Sequence, residues 1–307
     1  MAACIHHSST TEANQPSQCQ SGTLLCRCVI SCRPIFLNLV FCNPVYQVTT
    51  KNPENFEEED DHLWFRIRHE ALSDIEQEPL LSNYYHSLIL SHNSLETALS
   101  NLLAMKLSNS NMSTEKLFEI FSTLIRDDLK IKKAIRCDLE GARQRDPACT
   151  SYIHCFLNFK GFQAIQAHKV AHKLWSKGGS TMARVIQGRV LEVFGVDIHP
   201  GAKIGQGVLL DHATGVVIGE TAVIEDNVTI MHNVTLGSRG SVDFGERHPK
   251  IGNWVILGAG AKVLGNIRVG EKAKIGAGSV VLKEVPPNST AVGNPARIIS
   301  GKDKVSQ

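Results

Sequence analysis

Ile198-His-Pro-Gly-Ala-Lys-Ile204-Gly-Gln-Gly-Val-Leu-Leu210 opens a stretch that repeats itself in sixes as far as Val285. The lead position is aliphatic throughout: Ile198, Ile204, Leu210, Ile218, Ile224, Ile230, Leu236, Ile251, Leu257, Val263, Val269, Ile275 and Val281. Small or β-branched residues follow four places later, as at Ala202, Val208, Thr214, Ala222 and Val228. Gly often follows the lead directly, as at Gly205, Gly219, Gly237, Gly252, Gly258, Gly270 and Gly276. A hexapeptide period marks a parallel β-helix, in which short strands stack coil on coil and no coil buries its apolar face alone. The lead residues are predicted to point inward and fill a prism. The glycines are predicted to serve tight corners at positive φ. An amphipathic helix would need a period of about 3.6 residues and would not tolerate so much Gly.

The period breaks twice. Leu210 to Ile218 spans eight residues, which places two extra residues near Thr214–Val217. Leu236 to Ile251 spans fifteen, so a loop of roughly 238–250 leaves the prism. Repeat proteins carry function on such excursions. If the prism is three-sided, a coil takes about 18 residues, and Leu210 lies under Ile230 once the two-residue insert is allowed for. Leu257 and Ile275 continue that column if the longer break counts as two missing faces plus loop. Two places beyond these leads the column reads His212, His232, Ala259, Ala277. Two stacked histidines are then followed by two alanines, which floor a groove suited to a long thin ligand.

Of 24 glycines, 18 lie between Gly195 and Gly301, so the front half is built of different material. A net charge of +2 and the absence of a basic stripe argue against a nucleic-acid partner. No run of 18 apolar residues exists to form a transmembrane helix, so no membrane partner is expected. Residues 1–55 read as a leader or disordered tail. Acidic residues are nearly absent there and Ser and Thr frequent, as in organelle transit peptides, although Arg is sparse. The expected location is the cytosol, with plastid or mitochondrion as the alternative if the leader is a targeting signal. Six of nine cysteines fall within the first 42 residues; Cys26, Cys28 and Cys32 match no standard zinc spacing. Cys137, Cys149 and Cys155 are expected to be free and buried.

Residues 57–195 read as helices. Trp64, Ile67, Ala71 and Ile75 recur at helical spacing, as do Leu88, Leu95, Leu99, Leu102 and Leu103. A third helix carries Leu117, Ile120, Phe121, Leu124 and Ile125, with Ser113 at its N-cap. Phe156–Trp175 and Ala183–Phe194 give two more, separated by Gly178-Gly179-Ser180. The prism follows over 196–300. Pro286-Pro287 ends the strand pattern, Gly293-Asn-Pro-Ala-Arg297 closes the fold, and 301–307 form a short tail.

Four histidines of the repeat region are candidates for chemistry. His199 and His232 are expected to be solvated or satisfied side chains. His212 stands out because it follows Asp211 beside the two-residue insert, and His248 because it lies on the excised loop after Arg247. Imidazole is the natural general base near neutral pH, and a carboxylate on its far nitrogen fixes the tautomer. Arg offers a planar fork for a carboxylate. A free carboxylate such as Asp211 could hold an ammonium. These parts describe a site for a small amino acid whose hydroxyl is deprotonated beside a groove for a long acyl carrier.

Asp197-Ile-His-Pro, Leu210-Asp-His-Ala-Thr-Gly215, Val217-Ile-Gly-Glu-Thr-Ala222, Arg247-His-Pro-Lys-Ile251, Ile275-Gly-Ala-Gly-Ser-Val-Val281 and Gly293-Asn-Pro-Ala-Arg297 resemble the plant-type serine O-acetyltransferases. In the helical half the likeness extends to Arg145-Asp-Pro-Ala148 and Lys160-Gly-Phe-Gln-Ala164. The resemblance implies an all-α N-terminal domain followed by a left-handed parallel β-helix. It implies acetyl transfer from acetyl-CoA, a co-substrate and not a tightly bound cofactor, to the hydroxyl of L-serine, giving the precursor of cysteine. His212 then becomes the base and Asp197 its carboxylate partner. Asp146, Asp211, Arg247 and His248 bind serine, while Gly237, Ala259, Lys274 and Ala277 border acetyl-CoA; no metal is implied. The family forms trimers of prisms paired through the helical domains, with sites between subunits, and binds O-acetylserine sulfhydrylase through a tail ending in Ile.

Two differences from the family stand out. Gly237-Ser-Arg-Gly-Ser241 replaces the family's Gly-Gly-Thr-Gly-Lys, bringing Arg239 to the acyl-carrier loop, and the sequence ends in Gln307. They keep open a weakly active paralogue serving as oligomer scaffold. A metal enzyme like the γ-class carbonic anhydrases, also a β-helix with three histidines, is the other alternative.

Overall fold

A computed structural model describes residues 56–240 and 245–299, with side chains from residue 62 onward. The expectations for the leader and its cysteines, for Ser241 and for the 301–307 tail lie outside the described residues. Among the described residues, eight α-helices precede the repeat: α1 (Phe56–Gln77), α2 (Ser82–Tyr85), α3 (Leu95–Leu107), α4 (Thr114–Arg126), α5 (Leu129–Arg145), α6 (Tyr152–Asn158), α7 (Lys160–Ser176) and α8 (Ser180–Phe194). Trp64, Ile67 and Ala71 are buried on α1, and Leu117, Phe121 and Ile125 on α4. Ser113 caps α4 as its sequence predicts, its hydroxyl accepting from Lys116 N at 3.5 Å.

Two boundaries and one helix differ from the sequence reading. Leu88 sits in a wide turn over His86–Leu90 and not on the helix of Leu95, Leu99 and Leu102. The new helix starts because Ser94 and Thr97 cap one another: Thr97 N donates to Ser94 Oγ at 3.3 Å and Ser94 N to Thr97 Oγ1 at 3.2 Å. Phe156–Trp175 is divided at Phe159, whose backbone is extended. The Gln163 amide donates to Phe156 O and Leu157 O at 3.0 and 2.8 Å, satisfying carbonyls that the break releases. Helix α5 was not singled out within the helical reading of 57–195. Its stripe of Ile131, Ile135, Leu139 and Ala142 is buried, but charged residues outnumber it.

The repeat forms short strands on three faces. Strands β1 (Asp197–Ile198), β4 (Val217–Ile218), β7 (Thr235–Gly237), β10 (Lys262–Leu264) and β13 (Val280–Val281) make a five-stranded parallel face. β2 (Lys203–Ile204), β5 (Val223–Ile224), β8 (Lys250–Ile251) and β11 (Arg268–Val269) make a four-stranded one. β3 (Leu209–Leu210), β6 (Thr229–Ile230), β9 (Ile256–Leu257), β12 (Lys274–Ile275) and β14 (Thr290–Gly293) make the third, closed by antiparallel β15 (Ala296–Ile299). The coil is a left-handed parallel β-helix. The lead aliphatics are buried in the prism, except Ile204, which is half-buried toward the helices.

Register pairs Leu210 with Ile230, Ile230 with Leu257, and Leu257 with Ile275. The predicted column is therefore real, though the reason given for it is corrected. Leu236 pairs with Ile218 and Ile251 with Ile224, so the fifteen-residue break advances a single face. Subtracting one six-residue step leaves nine residues in the excursion. The role predicted for the glycines is also corrected. Left-handed residues fall three places after the lead, at Gly207, Asn227, Asn233, Trp254, Gly260, Lys272 and Gly278. Gly directly after the lead serves close coil-on-coil approach instead: a Cβ on Gly258 would stand 2.6 Å from Ala277 N.

Helices α5 and α7 lie on β3. Gly161 lets α7 rest on the Leu210 backbone, since a Cβ there would meet Leu210 Cβ at 2.9 Å. Beneath them Asp138 is buried. It pairs with Lys169 Nζ at 2.9 Å and accepts from Gln166 Nε2 at 2.9 Å and Val208 N at 3.0 Å. At the end of α5, Arg145 Nη1 donates to Asn227 O at 2.6 Å and Thr229 Oγ1 at 3.0 Å, and Nη2 donates to Gly207 O. Burial lowers the Arg145 pKa, yet the guanidinium stays charged. Arg145→Leu leaves carbonyls on two coils unpaired and is predicted to cost about 3 kcal/mol. A thermal midpoint within a degree or two of the parent would contradict this.

Candidate active site

Most of the predicted site residues fall into two groups on two corners of the prism, while Asp146 stands at the end of α5 and Lys274 on β12. The corner between the third and five-stranded faces carries Asp211 and His212, with Asp197 at the head of β1 just beyond it. The two-residue insert shapes this corner. His212 and Ala213 both adopt left-handed backbone, at φ 55° and 59°. Such strain in non-glycine residues is a feature of functional sites. His212 is presented outward, with its side chain 76% exposed, and its Nε2 is 3.7 Å from Asp211 Oδ1. Asp197 Oδ1 accepts from Gln187 Nε2 on α8 at 2.7 Å. Asp146 caps the end of α5 and accepts from Ala148 N at 2.8 Å. Arg145, next in the chain, fastens that helix end to the coils at Gly207 and Asn227.

His232 departs from its predicted satisfied state. Its ring meets His212 edge-on with centroids 5.8 Å apart, and its buried Nδ1 has no hydrogen-bond partner among the described residues. Along the same corner the column passes to Ala259, half-buried, and Ala277, exposed. Lys274 is exposed on β12. Gly237 ends β7, where a Cβ would press Leu264 Cδ2 at 3.1 Å. Arg239 folds back on the prism: its Nε donates to Leu264 O at 3.1 Å, and its stem lies over Gly265.

The corner between the five- and four-stranded faces carries the second group. Arg247 Nη2 donates to Glu220 Oε2 at 2.6 Å, and the guanidinium holds that carboxyl below its usual range. Thr221 organises the excised loop: its Oγ1 accepts from Arg247 N at 3.0 Å and from His248 N at 3.1 Å. Thr221 N–H donates to His248 Nδ1 at 3.2 Å, which places the neutral ring's proton on Nε2. His248 is only 7% exposed, and burial, reinforced by the Arg247 charge, lowers its pKa. His199 is satisfied as expected, its Nδ1 accepting from Gly201 N at 3.0 Å with Trp175 edge-on at 5.0 Å. Burial lowers its pKa, and the Glu220 charge opposes the shift.

Gln187, Glu220 and Thr221 are the supporting residues that the sequence reading did not assign. Glu220 and Thr221 stood within a quoted motif, whereas nothing local distinguishes Gln187. Within one chain the His212 and His248 corners are separated by the five-stranded face. That face is on the order of 15 Å across for a handful of extended residues at about 3.3 Å each. Among the described residues, Lys160 bonds Thr214 beside the His212 corner, while the Arg247 guanidinium and the buried His248 ring stand together only at the other corner.

A helical N-terminal unit, a hexapeptide prism and acid–base groups beside an apolar corner define a hexapeptide-repeat transferase. The family model described as serine acetyltransferase, N-terminal, matches residues 63–167, and that of the bacterial transferase hexapeptide (six repeats) matches 248–283. The mitochondrial serine acetyltransferase 3 of Arabidopsis thaliana is 58% identical over 79% of this chain, which spans 62% of that protein's length. Soybean serine acetyltransferase, solved in complex with serine, is 54% identical, with a TM-score of 0.77 over 78% of this chain and 99% of that one. The Brucella abortus enzyme, solved with coenzyme A, is 44% identical, with a TM-score of 0.78 over 81% and 99%. The chain belongs to the serine acetyltransferase family, which sets aside the carbonic anhydrase alternative.

Gly219 decides how His248 sits, because a Cβ there would fall inside the imidazole ring. Gly219→Ala is predicted to raise the serine KM about tenfold or more while leaving the acetyl-CoA KM unchanged, as loss of a ground-state contact to one substrate requires. An unchanged serine KM would place His248 outside the serine subsite.

Proposed function

We propose that this chain transfers acetyl from acetyl-CoA to the Oγ of L-serine, at a site completed by the His212 corner of one subunit and the His248 corner of a neighbour. The observation that carries the reading is the division itself: the exposed imidazole beside Asp211 lies on one corner, the Arg247 guanidinium with the His248 Nε2–H on another. The solved relatives complexed with serine and with coenzyme A support the two substrates.

In this reading Asp146 and Asp211 hold the serine ammonium, while Arg247 and the Nε2–H of His248 hold its carboxylate. Glu220 and Thr221 pre-orient those two groups, so little freedom is lost on binding. His212 removes the hydroxyl proton as Oγ attacks the thioester carbonyl carbon. The tetrahedral adduct collapses with cleavage of the C–S bond, and the imidazolium returns the proton to the departing sulfur. Asp197, fixed by Gln187, orients the imidazole and stabilises its charged form. The pantetheine arm lies along the corner of Ala259 and Ala277, bordered by Gly237 and Lys274. A homo-oligomer is required, a trimer or a pair of trimers. Association with O-acetylserine sulfhydrylase through the chain end, and the choice among cytosol, plastid and mitochondrion, rest on residues outside the described ones.

Free CoA release from acetyl-CoA by the purified oligomer should depend on L-serine. His212→Ala should lower kcat by about a hundredfold or more, the scale of a general base, with the fold intact. Serine-independent release, or an unchanged His212→Ala rate, would overturn the assignment. A folded oligomer that releases nothing would favour the scaffold reading.

A further inference from the structure

The turn that carries His212 is tied at both ends and strained between them. Asp211 N donates to Ile230 O at 2.8 Å, and Thr214 O accepts from Asn233 N at 2.8 Å, so both ends are bonded to the next coil. Gly215 N donates to Gly195 O at 2.8 Å, at the C-cap of α8. Between these ties stand His212 and Ala213, successive non-glycine residues in left-handed backbone. Such a conformation persists only where its surroundings impose it. Ala213 is fully buried, while the His212 side chain is 76% exposed. Asp211 Oδ1 lies 3.7 Å from its ring, beyond hydrogen-bond length, so the aim of the imidazole depends on the backbone that carries it.

Helix α7 reaches this turn from outside the repeat. Lys160, its first residue, donates from Nζ to Thr214 Oγ1. The Thr214 hydroxyl passes the contact on. It donates to His212 O at 3.4 Å, beside Thr214 N, which donates to the same carbonyl at 2.7 Å. An ammonium on the hydroxyl oxygen polarises the O–H and strengthens its own donation. The Thr214 methyl faces Gly195, with Cγ2 3.9 Å from the place a Cβ there would occupy. Gly161, the next residue of α7, lies against the Leu210 backbone. Two adjacent residues at one helix end thus grip the chain directly before Asp211 and directly after Ala213.

We propose that Lys160 is a positioning residue for the base: through the Thr214 hydroxyl it holds the His212 carbonyl, and with it the strained turn that aims the imidazole. Lys160 acts here through His212, so the proposal rests on the reading of His212 as the base. Neither Lys160 nor Thr214 is among the residues assigned above to serine or acetyl-CoA. The bond chain therefore serves the chemical step and not the holding of either substrate. A base displaced by about 1 Å loses up to about a hundredfold in rate while ground-state binding is untouched.

The test combines steady-state kinetics of the purified oligomer with amide hydrogen exchange. Lys160→Met keeps the stem and removes the ammonium. It should lower kcat about tenfold or more, with both KM values within about twofold of the parent. Thr214→Val keeps the shape, removes the hydroxyl and should do the same. Thr214→Ser and Lys160→Arg keep the donors and should retain about half the parent rate or more. Lys160→Met combined with Thr214→Val should be no slower than either alone, because the two act in one chain of bonds. In Lys160→Met the amides of Ala213 and Thr214 should exchange about tenfold faster, with the interior of α7 as protected as in the parent. If Lys160→Met fails to fold, Thr214→Val, at an exposed position, decides both readouts. A raised serine or acetyl-CoA KM at unchanged kcat would make Lys160 a substrate contact and overturn the proposal. So would losses that multiply in the double variant, or unchanged exchange at the turn. Exchange needs no turnover, and the His212→Ala rate is measured separately, so failure here is distinct from failure of the proposed reaction.

Discussion

The parallel register of the prism fixes where every functional side chain stands. The lead aliphatics, all but Ile204 fully buried, stack against their equivalents in neighbouring coils at the usual spacing of about 4.8 Å between strands. A slip of one residue would send the lead side chains outward and draw polar ones in, so register is strongly held. The stack of Leu210, Ile230, Leu257 and Ile275 inside thereby sets the series His212, His232, Ala259, Ala277 outside. The excursions obey the same constraint, since each inserts chain at a corner without shifting the strands that follow. Corners are thus free to carry chemistry, and the insert at His212 and the excised loop at His248 both occur there.

The helices turn a generic prism into a particular one. Gly161 allows contact with the Leu210 backbone directly before Asp211 and His212. Arg145 bonds carbonyls on two coils and so sets the height of Asp146 against the prism. Asp138 and Lys169 form a buried ion pair that also takes in Gln166 and Val208 N, the kind of satisfied network in which charge burial is tolerated. The coil itself sets a carboxylate and an imidazole side by side at the Asp211–His212 corner. Gln187 on α8 adds a hold on Asp197.

Much of this was legible in the sequence because a six-residue period is long, regular and unlike helix or ordinary sheet. The column of histidines and alanines followed from counting alone, even though the longer break was apportioned incorrectly. Helix boundaries were harder, since Ser94–Thr97 and Phe159–Gln163 end or start helices through side-chain bonds that interrupt no apolar pattern. The glycines were misread because the sequence shows where Gly falls but not whether it answers a φ or a neighbouring coil; Asn227, Trp254 and Lys272 take the left-handed positions instead. The roles of Gln187 and Thr221 went unassigned for a similar reason. Their partners lie across the fold, and an amide or hydroxyl carries no spacing signal.

The account turns on one site being shared between two subunits. The direct test mixes His212→Ala with Arg247→Ala chains, unfolds them together and reassembles them. Each variant alone should be nearly inactive. In a ring of heterologous interfaces, random co-assembly rebuilds an intact site wherever an Arg247→Ala chain supplies the base and its neighbour the intact Arg247, restoring about a quarter of the parent rate. If the mixture is as inactive as its components while its oligomers are demonstrably mixed, the two corners act within one chain and the account is wrong.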